Sequence, residues 1–210
     1  SFKKGSFNSI EKLRVDTVEI VVISTPHISN FTDIEPFLDE PDVKLCIVDN
    51  VEDIHHPQAI VLPGSKNVIH DLHFLLQGGF VHKINECLAS GGEVVGICGG
   101  YQMLGAIIKD PYQIESSDGQ IDGLGFLQME TVIEKSKRLT RKKGTHQQSG
   151  KEIFGYEIHH GVSSLPSQPL LSFDDGTTCG TCDRTEKIWG SYLHGIFDSD
   201  EFRRWYIDRL

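Results

Sequence analysis

The sequence predicts an α/β fold with an open, mostly parallel sheet and helices on both faces, and three observations support this prediction. Short apolar runs typical of buried parallel strands alternate with helical patterns over the first half of the chain. Polar or glycine-containing segments follow these runs. Open α/β sheets bind ligands at this position, beyond the carboxyl ends of their strands. From about Gly123 onward the segments alternate in polarity and contain glycines, which indicates additional antiparallel strands in the C-terminal half.

The individual elements follow from the same patterns. Strands are predicted at 18–24, 45–49, 59–62 and 94–97, and helices at 33–38, 68–76 and 81–89. Right-handed crossovers between such strands place the helices over the sheet. Later strands are predicted at 125–133, 153–159 and 188–194.

The segment 134–150 is predicted to be a basic loop. Its six cations are Lys135, Lys137, Arg138, Arg141, Lys142 and Lys143. Solvent-exposed chain is the ordinary interpretation of such a charge run. A lid, a contact to an anionic substrate and an interdomain contact are the functional alternatives.

Length and charge restrict the class of protein. The 210 residues fit one large domain at 15–210 after a polar linker at 1–14. The net charge of −10 argues against nucleic acid or an anionic membrane as the main partner. No apolar stretch approaches a bilayer span and no signal peptide is evident, so a cytoplasmic protein with reduced thiols at its five cysteines is expected.

The run 94–105, VVGICGGYQMLG, is the most informative feature. It predicts a buried strand that turns sharply at Cys98 into a helix, with Gly96, Gly99 and Gly100 leaving the turn almost free of side chains. A helix start favours a thiolate, so Cys98 is a candidate nucleophile for acyl transfer through a thioester. The alternative is a small buried cysteine without chemistry.

His194 is the candidate base, because it ends an apolar segment at a glycine and the partners in a Cys-His pair are distant in sequence. The turn Pro63-Gly64-Ser65 follows another strand. One of its amides together with that of Gly99 would form a two-donor oxyanion hole.

Other histidine and cysteine pairs are weaker candidates. His159 and His160 would point to opposite faces of a strand, and His55 and His56 are predicted on a surface loop. Cys179 and Cys182 have the spacing of half a zinc ribbon but lack a second pair, so they are interpreted as loop thiols. No metal site is expected.

Together these residues resemble the class I glutamine amidotransferases, whose motif Gly-x-Cys-x-Gly-x-Gln is matched by Gly96, Cys98, Gly100 and Gln102. Within that class the chain resembles the glutaminase domain of the cobyric acid synthase (CobQ) family over nearly its whole length. The segments that carry this resemblance are ISNFTD at 28–33, LPGSKN at 62–67, GYEIH at 155–159 and YLHGIF at 192–197.

The resemblance implies a flavodoxin-like sheet and hydrolysis of L-glutamine by Cys98, with His194 as base and then acid. It implies that ammonia passes to a synthetase domain that uses ATP and magnesium to amidate a corrinoid, while this domain needs no cofactor. Gly64 or Ser65 and Gly99 would form the oxyanion hole. Further site residues implied are Gln102 and Tyr101 for substrate binding, with His159 and Glu157 lining the site.

Two departures from the family pattern matter. The wider class has His-x-Glu, but Ile196 stands two residues after His194, which leaves Glu157, Asp198, Asp200, a backbone carbonyl or a partner domain as the group that orients the histidine.

The second departure is that no phosphate-binding loop of the form G-x-x-x-x-G-K-[ST] is present. The chain is therefore expected either to be the C-terminal piece of a two-domain synthase, which its polar start without methionine favours, or to work with a separate synthetase chain. A glutaminase subunit of another ligase, such as one that amidates a cell-wall precursor, and a non-catalytic docking or regulatory domain are the alternatives.

Overall fold

The computed structural model describes residues 17–164 and 169–210. Its strands, numbered in chain order, are β1 (Val18–Ile23), β2 (Val43–Val48), β3 (Ala59–Leu62), β4 (Glu93–Ile97), β5 (Ile107–Lys109), β6 (Gln120–Asp122), β7 (Glu130–His146), β8 (Glu152–Ser163), β9 (Leu171–Phe173), β10 (Thr178–Cys179), β11 (Thr181–Cys182), β12 (Ile188–Ser191) and β13 (Leu193–His194). The predicted linker at 1–14 lies outside the described residues.

The first sheet carries the candidate nucleophile. Its order is β11-β12-β4-β3-β1-β2, and every neighbouring pair is parallel except β11 with β12. The side chains of β3 and β4 are buried throughout, as expected for central strands covered on both faces. The predicted fold class, a mostly parallel α/β sheet, is confirmed.

The second sheet is mixed and has the order β10-β9-β7-β5-β6, with β8 pairing to both β7 and β13. Through β13 this sheet reaches His194, which lies opposite Tyr156 of β8. The two sheets therefore meet at the candidate base.

The helices are α1 (Val68–Gln77), α2 (Phe80–Ala89), α3 (Gly99–Leu104) and α4 (Asp200–Asp208). The Asn67 side chain caps α1 by accepting a hydrogen bond from the amide of His70 at 2.9 Å. The predicted helix at 33–38 is instead a short 3-10 helix, Glu35–Asp39, with a proline in its first turn. Two further 3-10 turns span Val51–Asp53 and Ile196–Asp198. None of the helices in the described ranges is long and apolar enough to cross a membrane.

The prediction of a basic loop at 134–150 is wrong, because β7 continues through most of it to His146. The partner strand β8 pairs with it from Arg138 to Thr145 and satisfies its backbone groups. Only a short connection, 147–151, separates the two strands. The cations obscured the strand pattern because this part of the hairpin exposes one face to solvent.

Three other predictions on the C-terminal half need correction. The segment 188–194 is not one strand: β12 runs parallel to β4 and antiparallel to β11, and after Tyr192 the chain continues as β13 in the other sheet. The strand predicted at 125–133 begins only at Glu130, since Gly125 has a φ of 73° and the chain bends at 126–128. Cys179 and Cys182 lie on short strands on either side of Gly180 rather than in a loop.

Candidate active site

Cys98 stands at the turn between β4 and α3 in a strained backbone conformation. Its φ is 52° and its ψ is −105°, a region that residues with a side chain rarely adopt. The amide of Cys98 donates to the Ser191 carbonyl at 2.8 Å, which fixes the turn against β12. Such strain persists only where the surroundings enforce it, and it is typical of nucleophiles mounted between a strand and a helix.

The glycines around Cys98 are required by close backbone packing. A Cβ at Gly100 would lie 1.9 Å from the Leu62 carbonyl oxygen, and one at Gly96 would lie 2.6 Å from the amide nitrogen of Tyr101. Both distances are shorter than any side chain tolerates. The glycine pattern that drew attention to Cys98 therefore reflects the tight contact of β3, β4 and α3.

His194 is held by a buried carboxylate. Its Nδ1 lies 2.7 Å from Oδ2 of Asp33, and Oδ1 of Asp33 accepts a hydrogen bond from the Gly195 amide at 2.8 Å. The side chains of Asp33 and His194 are both buried. Because Nδ1 is occupied by Asp33, the other ring nitrogen, Nε2, is left for Cys98.

The protonation of His194 follows from these contacts. Burial alone would lower the pKa of His194, but hydrogen bonds of the ring to Asp33 and Cys98, with the charges of these groups, raise it to about 10. These contacts therefore favour the protonated ring of His194, which can give a proton to a leaving group beside Cys98.

The oxyanion loop, residues 63–65, packs directly on the start of α3. The amide of Gly100 donates to the Pro63 carbonyl at 3.0 Å. A Cβ at Gly99 would lie 2.7 Å from the amide nitrogen of Ser65, and a Cβ at Gly64 would lie 3.0 Å from Cε1 of His194. The structure thus brings the predicted oxyanion residues together beside the catalytic pair, and their binding of an oxyanion stays a prediction.

Asp71 anchors the oxyanion loop from α1. Its side chain is fully buried, and its Oδ2 accepts a hydrogen bond from Oγ of Ser65 at 2.6 Å. Its Oδ1 accepts one from the His27 amide at 3.0 Å. His27, His70 and Asp71 also place one ligand-type atom each within 4.8 Å of one another. One Asp71 oxygen therefore holds the segment at His27 and the other holds the oxyanion loop. We assign this cluster a structural role.

Gln102 and Tyr101 are both buried on α3. Nε2 of Gln102 donates to the Tyr192 hydroxyl at 3.3 Å, and that hydroxyl lies 2.6 Å from Oγ of Ser163. The Tyr101 ring packs edge-on against Tyr192 with ring centres 5.2 Å apart, and its side chain is fully buried. Tyr101 therefore belongs to the core beneath the cleft. The predicted substrate contact of Gln102 stays a prediction.

β8 forms the wall opposite the nucleophile. The Ile158 carbonyl lies 3.6 Å from Sγ of Cys98 and accepts its hydrogen bond. The His159 ring stacks on Tyr192 with centres 3.7 Å apart, and burial lowers the pKa of His159. The site therefore unites Cys98, His194, the oxyanion loop and this strand, which lie far apart in sequence.

Comparison with known proteins identifies the family. A family model described as the CobB/CobQ-like glutamine amidotransferase domain matches residues 19–202, most of the chain. The chain belongs to this family of glutamine amidotransferase domains. The predicted resemblance to that family and the predicted enzyme class are confirmed.

Two curated relatives illustrate the similarity. The adenosylcobalamin biosynthesis bifunctional protein CobDQ of Leptospira interrogans is 47% identical over 212 residues, which cover 100% of this chain and 24% of that protein. The cobyric acid synthase of Clostridium acetobutylicum is 39% identical over 197 residues, which cover 92% of this chain and 40% of the synthase. The chain thus spans less than half the length of these relatives.

Solved structures support the same fold at low sequence identity. A crystal structure of a glutamine amidotransferase superimposes with a TM-score of 0.64 at 15% identity and covers 90% of this chain and 97% of that one. The structure of PurLQS from Thermotoga maritima gives a TM-score of 0.59 at 16% identity, over 85% and 87% of the two chains.

The group that orients the histidine in this amidotransferase domain is none of the three acidic residues that the sequence offered for that role. Asp200 is exposed and pairs with Arg203, and Glu157 stands opposite Leu193 in the β8–β13 pair. Oδ2 of Asp198 lies 2.9 Å from the position of a Cβ on Gly195, beside the turn. Asp33 supplies the bond to His194. Its position in the segment between β1 and the 3-10 helix Glu35–Asp39 was the available signal.

The remaining candidates lie away from the catalytic pair. His55 and His56 are exposed on a loop, as predicted. Cys179 is buried, which raises the pKa of its thiol, and Cys182 is half-buried. Both are free thiols, and neither contacts His194 among the described interactions.

Proposed function

We propose that this chain is the glutamine-hydrolysing domain of a cobyric acid synthase and supplies ammonia for amidation of a corrinoid in cobalamin biosynthesis. The observation that carries the proposal is the strained Cys98 beside a histidine held by a buried carboxylate. The names of the two relatives support the pathway.

The reaction uses groups of this chain alone. The Cys98 thiolate attacks the side-chain amide carbon of L-glutamine, and the amides of Ser65 and Gly99 bind the oxyanion that forms. Protonated His194 gives its proton to the leaving nitrogen, so ammonia departs and a glutamyl thioester remains. His194 then takes a proton from water as the water attacks the thioester. The carbon–sulfur bond breaks, glutamate leaves, and Cys98 and His194 return to their starting state.

The acceptor reaction belongs to a second domain. Amidation of a carboxylate consumes ATP with magnesium, and we assign these to an amidating domain, on the same polypeptide or on a separate chain, that acts on the corrinoid. This chain contributes glutamine binding and ammonia release and needs no cofactor of its own.

The test is glutamate release from L-glutamine by the intact enzyme and by its Cys98→Ala variant. We expect release by the wild type and none by the variant, because the nucleophile is absent. Cys182→Ala is the matched control and should keep the wild-type rate, since this half-buried thiol takes no part in the site. Glutamate release by Cys98→Ala would refute the proposal.

A further inference from the structure

The hairpin of β7 and β8 exposes an apolar surface that the glutaminase reaction does not use. Leu139 is 67% exposed and Phe154 is 44% exposed, and Tyr156 and Ile158 are half-buried beside them. With Arg141 they line a groove of about 630 Å³. We call these five residues the hairpin face. A contiguous apolar patch with a polar rim is typical of a protein interaction site.

Strand register places the hairpin face on one side of the sheet. Leu139 pairs with Ile158 and Arg141 pairs with Tyr156, and directly opposed residues project to the same face. Phe154, Tyr156 and Ile158 alternate along β8, which gives them the same side. The groove is therefore formed by side chains that project from one face of the hairpin.

The hairpin face is continuous with the active site. Tyr156 lies opposite His194, and their rings stack with centres 5.1 Å apart at 14°. The carbonyl of Ile158, at the other end of the groove, contacts Sγ of Cys98. A partner seated on this face would border the cleft from which ammonia leaves.

The rim of this surface is basic although the chain as a whole carries a net charge of −10. Arg141 is exposed within the face, and Lys135 and Lys137 are exposed on the same strand. The side chains of Arg141 and Lys137 form no ion pair or hydrogen bond with other described residues. Local positive charge on an acidic protein favours a partner with acidic groups at the edge of an apolar centre.

We propose that the ATP-dependent amidating domain docks on the hairpin face and closes the cleft over Cys98. This inference rests on the proposed function and names the surface that couples the two reactions. Ammonia that escapes into bulk water at neutral pH takes up a proton and loses its nucleophilic lone pair, so a partner that covers this edge keeps it reactive. The basic segment of β7 is thereby assigned to interdomain contact.

A second copy of this chain fits the surface less well. A two-fold pairing would oppose the same patch on both subunits and bring the unpaired Arg141 side chains toward one another. An acidic partner has no such repulsion.

The test measures coupling in the intact enzyme, as moles of amide formed per mole of glutamate released. Leu139→Glu places a charge in the apolar centre, and Arg141→Glu reverses the rim; both residues are exposed, so the fold should tolerate them. Leu76→Glu is the matched control. Leu76 is 46% exposed near the end of α1, which runs back from the strand ends that carry the site.

We expect both hairpin variants to lower the coupling ratio at least tenfold while amidation driven by added ammonium stays within twofold of wild type. Leu76→Glu should keep the wild-type ratio. A ratio in both hairpin variants within twofold of Leu76→Glu would overturn the docking proposal and leave the glutaminase intact. A wild-type enzyme that releases no glutamate would instead refute the proposed function, and the docking proposal with it.

Discussion

Replacing Asp33 by asparagine should disable His194 while leaving every atom of the histidine in place. The carboxylate contacts Nδ1 of His194 at 2.7 Å and the Gly195 amide at 2.8 Å. Asparagine replaces one of the two acceptor oxygens of the carboxylate with an NH₂ donor. Turned so that its amide donates to Nδ1, it selects the tautomer with hydrogen on Nε2, which removes the base that faces Cys98.

The size of the expected loss in activity follows from the contacts of His194. The pKa of His194 lies at about 10 against an ordinary 6.5, and this difference corresponds to about 5 kcal/mol in favour of the protonated ring, shared by Asp33 and Cys98. Loss of a positioned base typically costs a factor of about 10² to 10⁴. We expect glutamate release to fall by that factor, which equals about 3 to 5.5 kcal/mol of barrier.

Two assays separate this effect from misfolding. The first is the rate of glutamate release by Asp33→Asn and by Asp198→Asn, whose carboxylate lies near Gly195 without a bond to the His194 ring. The second is urea unfolding, in which Asp33→Asn and Asp198→Asn should both unfold in one cooperative transition, as the wild type does. Activity of Asp33→Asn within threefold of wild type, or a larger loss in Asp198→Asn, would refute the reasoning.

Three further changes test the surroundings of the site. Asp71→Asn should lower kcat for glutamine about tenfold or more, because it loosens the loop in which Ser65 supplies an oxyanion donor. The rate of Cys98 alkylation should stay unchanged. An equal loss in both assays would indicate general damage to the fold. Gly99→Ala should lower glutaminase activity about 10² to 10³-fold, since its Cβ would lie 2.7 Å from the Ser65 amide, and wild-type kinetics would contradict the packing. Burial and the charge of Arg209 lower the pKa of His146 to about 4. As the pH falls below 6.5, this histidine is protonated in the unfolded chain but not in the folded one, so the folded state loses stability. Urea unfolding should show up to about 3 kcal/mol lost between pH 7 and pH 4, and a smaller loss in His146→Gln; equal losses would exclude His146 as the cause.

The first half of the fold was predictable because its signals are local. The strands β1, β3 and β4 are mostly apolar runs, and the glycines around Cys98 have no local stabilising role in a helix start. Cys98 and His194 could be named as candidates for the same reason, since each ends an apolar segment.

The histidine partner could not be chosen from sequence because 161 residues separate it from His194. Asp33 was noticeable as a polar residue after a strand, but the order of strands in the sheet decides which loops meet. The sequence therefore left Glu157, Asp198, Asp200, a backbone carbonyl and a partner domain open for this role, and Asp33 was not among them.

The basic hairpin was missed for a related reason. The pairing of β7 with β8 is tertiary, and Lys135, Lys137, Arg141 and Lys143 of β7 are exposed, so composition indicated a loop. The same exposure leaves Leu139 and Phe154 uncovered, which only the structure reveals as one surface.

The measurement that tests the central claim most directly is mass-spectrometric mapping of labelling by an electrophilic glutamine analogue, with a general thiol reagent in parallel. The account predicts selective modification of Cys98 that L-glutamine prevents, while Cys46 and Cys182 react only with the general reagent. Absence of selective labelling, with Cys98 still open to the general reagent, would contradict a formed glutamine site around this cysteine.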